Sequence, residues 1–438
     1  MKRIALPLII VLLLVSACGN DQIDPNPPNI ILILADDLGY GDLDCYGNIM
    51  NDTPNLDQMA REGLLFTDFH SNGPVCSPTR AAIISGRYQQ KVGIEAVVYA
   101  TKFRHTGINP GTYTLANYAK SLGYSTGIIG KWHLGYDTAF SPVNYGFDYF
   151  RGYVSGNVDY HSHIDGAGKY DWWEQKDTII EPGYSTDLIN KNAVKFIRDN
   201  KENPFFLYVA HEAPHSPYQG RKDPPERTDE GTVRLRKSPE ELHKTYREMI
   251  SVMDEGVGEI FETLETTGLI DNTIVFFMSD NGANRTGSNA LLRGFKGSLW
   301  EGGHRVPAIA CWKGRIDQGT SDEFLLGMDI FPTLAAIIGK DPLEGAEFDG
   351  IDFTPVLLEG ESLPERTAFW RYGGAKSVRS GTWKLLVQKD STYLFNLSVD
   401  PSEKMNLFRE KTALSDSLWN VLEKWEAEIN TYKLNTFL

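Results

Sequence analysis

Four short apolar runs, each closing on charged or imidazole side chains, constrain this chain more than any other feature. They are NIILILADD, ending in Asp36 and Asp37; STGIIGKWHLG, ending in Lys131 and His133; PFFLYVAHEAPH, ending in His211 and His215; and NTIVFFMSDNG, ending in Asp280 and Asn281. Continuous rather than alternating apolar residues mark strands buried on both faces, as in a parallel sheet covered by helices. Between the runs lie segments with a 3.6-residue apolar period. These are TPNLDQMAREG, with Thr53 as cap and Pro54 in the first turn, TLANYAKSLG, STDLINKNAVKFIRDN, and a longer one over about residues 240–266. The alternation predicts an α/β fold with a mostly parallel central sheet sandwiched by helices. Open sheets of this kind bind ligands beyond the C-terminal ends of their strands. Any one polar pair there reads equally well as a cap or a surface turn; four sets predict a common site.

Residues 72–80, NGPVCSPTR, add a second element to that site. Pro78 fits the first turn of a helix beginning near Cys76, and the apolar Ile83 and Ile84 continue it to Gly86. Cys76 then lies at a positive helix end with Arg80 one turn on. A lone cysteine is by default a packing group, but a helix N-terminus and a nearby cation favour a reactive one. Asp36, Asp37, Asp280 and Asn281 offer only oxygen atoms, which suits a hard divalent cation, Ca²⁺ before Mg²⁺. Arg80, Lys131, His133, His215 and Lys296 supply the positive charge that meets a tetrahedral oxyanion. Lys296 comes from the Gly-rich LRGFKGSLWEGGHRVP, whose backbone can approach a ligand closely.

The net charge of −15 argues against nucleic acid as a partner and requires any anionic substrate to find a local cationic pocket. Lys2 and Arg3 precede an apolar run over residues 4–15, which reads as an export signal too short to span a bilayer comfortably. LVSAC resembles a bacterial lipoprotein signal. Residues 1–18 are then a leader, Cys18 carries lipid as the only membrane contact, and residues 19–27 form a polar, Pro-rich tether. An ordinary cleaved signal is the alternative. The expected location is the bacterial periplasm or outer membrane. A catalytic domain is expected over residues 28–360. A C-terminal subdomain over 361–438 should have antiparallel strands near 383–387 and 393–396 and an amphipathic helix in SDSLWNVLEKWEAEI. Cys45 and Cys311 remain, and their pairing is open.

The motifs in family order carry a resemblance. CSPTR matches Cys-x-Pro-x-Arg, GKWHLG a second signature, and PNIILILADDLGYGDLDCYG, APHSP, SDNG, KGSLWEGGHRVP and the late SVRSGTWKLL and YLFNLSVDPSEKMNL follow. The chain resembles the formylglycine-dependent sulfatases of the alkaline-phosphatase-like superfamily from Pro28 to its end. The resemblance implies that a separate formylglycine-generating enzyme oxidises Cys76 to an aldehyde that exists as its hydrate. One hydroxyl of the diol attacks sulfur, and the second then collapses to the aldehyde and expels sulfate. It implies Ca²⁺ on Asp36, Asp37, Asp280 and Asn281 together with position 76. Arg80 would orient the hydrate, His133 act as its base, Lys131 hold sulfate oxygens, and His215 beside Lys296 protonate the leaving oxygen. His211 matches no role and is expected to pack. Likeness to bacterial carbohydrate sulfatases, including ones similar to N-acetylgalactosamine-6-sulfatase, implies a sulfated carbohydrate substrate. Trp172 and Trp173 are either a platform for sugar faces or the plug of a small satellite core. The rival readings are a phosphonate or phosphate monoester hydrolase of the same superfamily and a non-catalytic lipoprotein that binds sulfated glycans.

Overall fold

The four apolar runs form neighbouring parallel strands. Asn29–Ala35 pairs with Thr273–Ser279 on one side and Phe205–Ala210 on the other; Phe205–Ala210 pairs with Ser125–Lys131, which pairs with Tyr149–Tyr153. A computed structural model describes residues 26–339 and 347–436; the expected leader, Cys18 and tether residues 19–25 lie outside the described residues. Register sets the strand ends level, with Ala35 opposite Ser279 and Ala210 beside both Leu34 and Gly130. Ala308–Cys311 and Leu64–Phe66 extend one side antiparallel, and Trp173–Glu174 and Asp177–Thr178 the other, in a sheet of ten strands.

Alternate side chains of each central strand enter two separate cores. Ile30, Leu32 and Leu34 pack with helices Cys76–Ser85, Leu115–Ser121 and Ile330–Ile337. Ile31, Ile33 and Ala35 pack with Pro54–Glu62, Ser185–Asp199 and Pro239–Thr266. Burial on both faces is why the strands read as unbroken apolar runs. The long helix starts on a reciprocal cap between Ser238 and Glu241, with Pro239 in its first turn. Thr53 does not cap its helix: its hydroxyl accepts from the Asp44 N–H at 3.3 Å and donates to the Asp57 carboxylate.

The C-terminal part holds an antiparallel sheet of Thr367–Tyr372, Ala375–Ser380, Trp383–Gln388 and Ser391–Asn396, followed by helix Thr412–Ile429. Leu418, Leu422, Trp425 and Ile429 lie on one face of that helix and pack on Trp370, Val378, Leu385 and Leu394. The same cluster takes in Ala82, Tyr88, Leu299 and Trp300, which joins this sheet to the segment carrying Lys296. Cys45 and Cys311 are free thiols, so the pairing left open by the sequence does not occur. Trp172 is fully buried and stacks on the His163 ring at 4.5 Å, while Trp173 is half-buried. Trp172 therefore plugs a core, and a sugar platform built on it is excluded.

Candidate active site

The level strand ends bring the sequence-selected residues together. Asp36 and Asp37 follow Asn29–Ala35 directly, and Asp37 turns the chain in the left-handed region at φ 66°. Its backbone N–H points at Asp280 Oδ1, 3.3 Å away at the end of Thr273–Ser279. Lys131 closes its strand, and His133 follows at φ 57°. His215 lies in the loop after Phe205–Ala210, anchored by its Nδ1 against the Ser216 carbonyl at 2.6 Å. Cys76 is the first residue of Cys76–Ser85, and Gly86 ends that helix at φ 66°.

Contacts among these groups are dense. Cys76 Sγ lies 3.3 Å from Asp36 Oδ1 and accepts from Lys296 Nζ at 3.2 Å. Lys131 Nζ donates to the other oxygen of Asp36. Lys296 Nζ also donates to Asp37 Oδ1 at 2.5 Å, and Asn281 Nδ2 donates to the same oxygen at 2.8 Å. Arg80 clamps Asp280 Oδ2 through Nε at 3.0 Å and Nη2 at 2.8 Å, while its Nη1 donates to the Lys131 carbonyl. Arg80 Nη2 also lies 3.8 Å from Asp36 Oδ2, the carboxylate in contact with Cys76. His215 Nε2 is 3.7 Å from Asp37 Oδ2.

The electrostatics follow from burial and these neighbours. Burial pushes the Cys76 thiol up, but Lys131 and Lys296 outweigh it and bring it down to about 6. Position 76 is therefore a place that favours negative charge. Burial opposes the imidazolium of His215, yet Asp36 and Asp37 outweigh it and raise it to about 9. His133 is pushed well below the ordinary histidine value by burial and then by Lys131 and Arg80. Both its ring nitrogens lack a hydrogen-bond partner among the described residues, and a Cβ on Gly156 would come within 2.7 Å of Nε2. The two imidazoles thus sit in opposite environments, His215 beside carboxylates and His133 beside cations. His211 is buried, lines neither cavity described below, falls to about 3 through burial alone, and like His133 has no hydrogen-bond partner for either ring nitrogen among the described residues.

The oxygen donors fit a hard cation. Single atoms from Asp36 and Asp37 lie within 4.8 Å of each other and of Cys76 and His215, whose sulfur and nitrogen are softer donors, and Asp280 and Asn281 add further oxygens beside Asp37. Asn281 Oδ1 is buried with no hydrogen-bond partner among the described residues, which leaves a carbonyl-type oxygen available to an ion. Burial and then Asp36 raise Asp280 to about 6, the mark of crowded carboxylates that a cation would relieve. A cavity of about 310 Å³ opens onto Cys76, His133, His215 and Lys296, and Tyr99, Tyr136 and Asn157 line it further out. The sequence did not single out these last three. Asn284, whose Nδ2 lies 3.3 Å from Asp37 Oδ2, was also missed, although it stands three residues beyond Asn281.

The sulfatase family model matches residues 28–340. The chain is 34% identical over 411 residues to N-acetylgalactosamine-6-sulfatase of Rattus norvegicus, covering 87% of this chain and 75% of that one. It is 32% identical over 443 residues to arylsulfatase A of Homo sapiens, with 87% and 83% covered. The crystal structure of Ps i-CgsB in complex with k-i-k-neocarrahexaose superposes with a TM-score of 0.82 at 31% identity, over 91% of this chain and 92% of that one.

Proposed function

Since the chain belongs to the sulfatase family, we propose that it hydrolyses O-sulfate monoesters on a carbohydrate at a nucleophile made from Cys76, beside Ca²⁺ held by Asp36, Asp37, Asp280 and Asn281. The observation that carries this reading is the environment of position 76. It is a helix N-terminus flanked by Lys131, Lys296 and His215, where burial alone would disfavour an anion. The thiol stands where an oxygen of the modified residue would stand. When present, formylglycine supplies a hydrated aldehyde with two hydroxyls on one carbon, and Ca²⁺ supplies positive charge for the sulfate oxygens.

The remaining work falls to the chain's own side chains. Lys131 and Lys296 hold and polarise the sulfate. Neutral His133 takes a proton from a hydroxyl at position 76, and His215 gives its proton to the alcohol oxygen as the S–O bond breaks. Net, one water is consumed and an alcohol and sulfate are released. Arg80 fixes Asp280. The carbohydrate reading is supported by the relatives named for glycan sulfate esters and by the oligosaccharide complex of the solved neighbour.

Product analysis on a panel of sulfated oligosaccharides, alongside an aryl sulfate and the matching aryl phosphate, tests this. Sulfate release is expected, abolished by chelation and restored by Ca²⁺; faster turnover of the phosphate ester, or none of any ester, would reject it. The leader further supports export as a lipoprotein anchored at Cys18. Cys18→Ala should leave the protein in the soluble fraction of its native host, and unchanged membrane partition would reject the anchor.

A further inference from the structure

A second cavity, of about 830 Å³, adjoins the catalytic one of about 310 Å³, and Gly166 lines both. Ser216 and Pro217, which directly follow His215, form part of its wall, so it begins where the leaving-group side of the site ends. Its charged lining is three cations, Arg227, Arg234 and Lys237, against the single carboxylate of Glu226. This reverses the sign of a chain whose net charge is −15.

The cations are not equivalent. Lys237 is committed to the wall: its Nζ donates to the Tyr218 carbonyl and to Thr245 Oγ1, both at 2.8 Å, and pairs with Asp223. Arg227 donates from Nη1 to the Ile164 carbonyl at 3.0 Å, which braces the ridge that bears Gly166, and pairs with no carboxylate among the described residues. Arg234 is exposed, with neither a carboxylate nor a hydrogen-bond partner among the described residues. Glu226 does not answer it, because Glu226 Oε1 accepts from the Leu235 N–H at 3.1 Å. A polar hollow with one uncommitted guanidinium group, Arg234, beside an Arg227 that faces no carboxylate, continuous with a sulfate-ester site, fits an oxyanion carried on something larger than a free ion.

We propose that this cavity is a second anion subsite, which takes the sulfate or carboxylate of a sugar flanking the one being desulfated. The inference rests on the reading of the chain as a carbohydrate sulfatase. It makes the preferred substrate an oligosaccharide with at least two anionic groups rather than a singly sulfated sugar.

The test measures calorimetric binding to full-length Cys76→Ala protein, which has no nucleophile at position 76. The probes are a chondroitin 6-sulfate hexasaccharide, its carboxyl-reduced form, and N-acetylgalactosamine 6-sulfate. The hexasaccharide should bind at least about tenfold more tightly than the monosaccharide, the scale of one charge-assisted contact. Adding Arg234→Ala should remove most of that margin and leave the monosaccharide unchanged. Arg236→Ala, an equal charge loss at an exposed neighbour that lines a different cavity, should preserve the margin. Survival of the margin in the carboxyl-reduced probe assigns the subsite to sulfate, and its loss there to carboxylate. No margin, a margin intact in Arg234→Ala, or equal losses in both arginine variants would overturn the proposal. Sulfate release by the wild type decides the parent reading separately: release with an intact margin in Arg234→Ala sinks only the second subsite, whereas no release from any ester sinks both.

Discussion

A serine at position 76 keeps the size of the side chain and its place at the helix end, and loses only the chemistry that needs two oxygens on one carbon. Cys76 is buried in contact with Asp36 and Lys296, and a hydroxyl can make both contacts. Cys76→Ser should therefore fold with a melting temperature close to that of the wild type and retain substrate affinity. It should complete at most one turnover, because a sulfate ester on serine has no neighbouring hydroxyl to expel sulfate. Mass spectrometry of the active wild type should show formylglycine at residue 76. Repeated turnover by Cys76→Ser, or an active enzyme with Cys76 wholly unmodified, would overturn the mechanism.

At the scale of elements, what could be read from the sequence was what is encoded locally. Residues 30–34 and 274–278 declare themselves as strands because each is buried on both faces, and the charged residues that follow declare the sheet edge they share. The helix at Cys76 was legible for the same reason, through Pro78 and Gly86. Contacts between distant segments were not legible. The loop that presents Lys296 is set by Lys296 N–H on the Ala283 carbonyl, Gly297 N–H on the Pro74 carbonyl, and Glu301 N–H on Glu403 Oε2 at 2.7 Å. A Cβ on Gly303 would come 1.9 Å from the Ser298 carbonyl oxygen, so the loop closes only around glycine there. Nothing in the local pattern distinguishes Trp172 as core from Trp173 as half-buried, since what covers Trp172 comes from outside its own segment: the His163 ring stacks on it and Glu181 Oε2 accepts from its Nε1.

The whole molecule is tied together by a buried polar chain between the central sheet and the C-terminal one. Lys384 pairs with Glu301 at 2.8 Å and Glu403 at 2.9 Å, and its Nζ reaches His304 Nε2 at 3.1 Å. His304 Nδ1 meets His70 Nδ1 at 2.9 Å, and His70 Nε2 meets Asp68 Oδ1 at 2.9 Å, where Arg379 also binds. Read from the lysine, which can only donate, His304 accepts at Nε2 and donates from Nδ1, and His70 accepts at Nδ1 and donates from Nε2 to Asp68 Oδ1, the oxygen that also holds Arg379 Nη1, 3.0 Å from the same ring nitrogen. Each ring must be neutral, since a second proton on either would set two N–H groups against each other. Burial first, and then Lys384 for His304, hold both rings below the ordinary histidine value. The unfolded chain takes up these protons below about pH 6.5 and the native state does not, so their contribution is fully present above that value and is lost on acidification. Glu403, which faces Lys384, is raised to about 7 by burial and titrates in the opposite sense. The measurement must therefore be a difference between variants. His304→Gln keeps one acceptor and one donor and cannot titrate. Its stability deficit against the wild type, measured by denaturant unfolding, should shrink by about 1.4 kcal/mol between pH 7.5 and pH 5.5. A deficit that stays constant or widens on acidification would show that His304 is not held neutral, and the directional chain from Lys384 to Asp68 would fall with it.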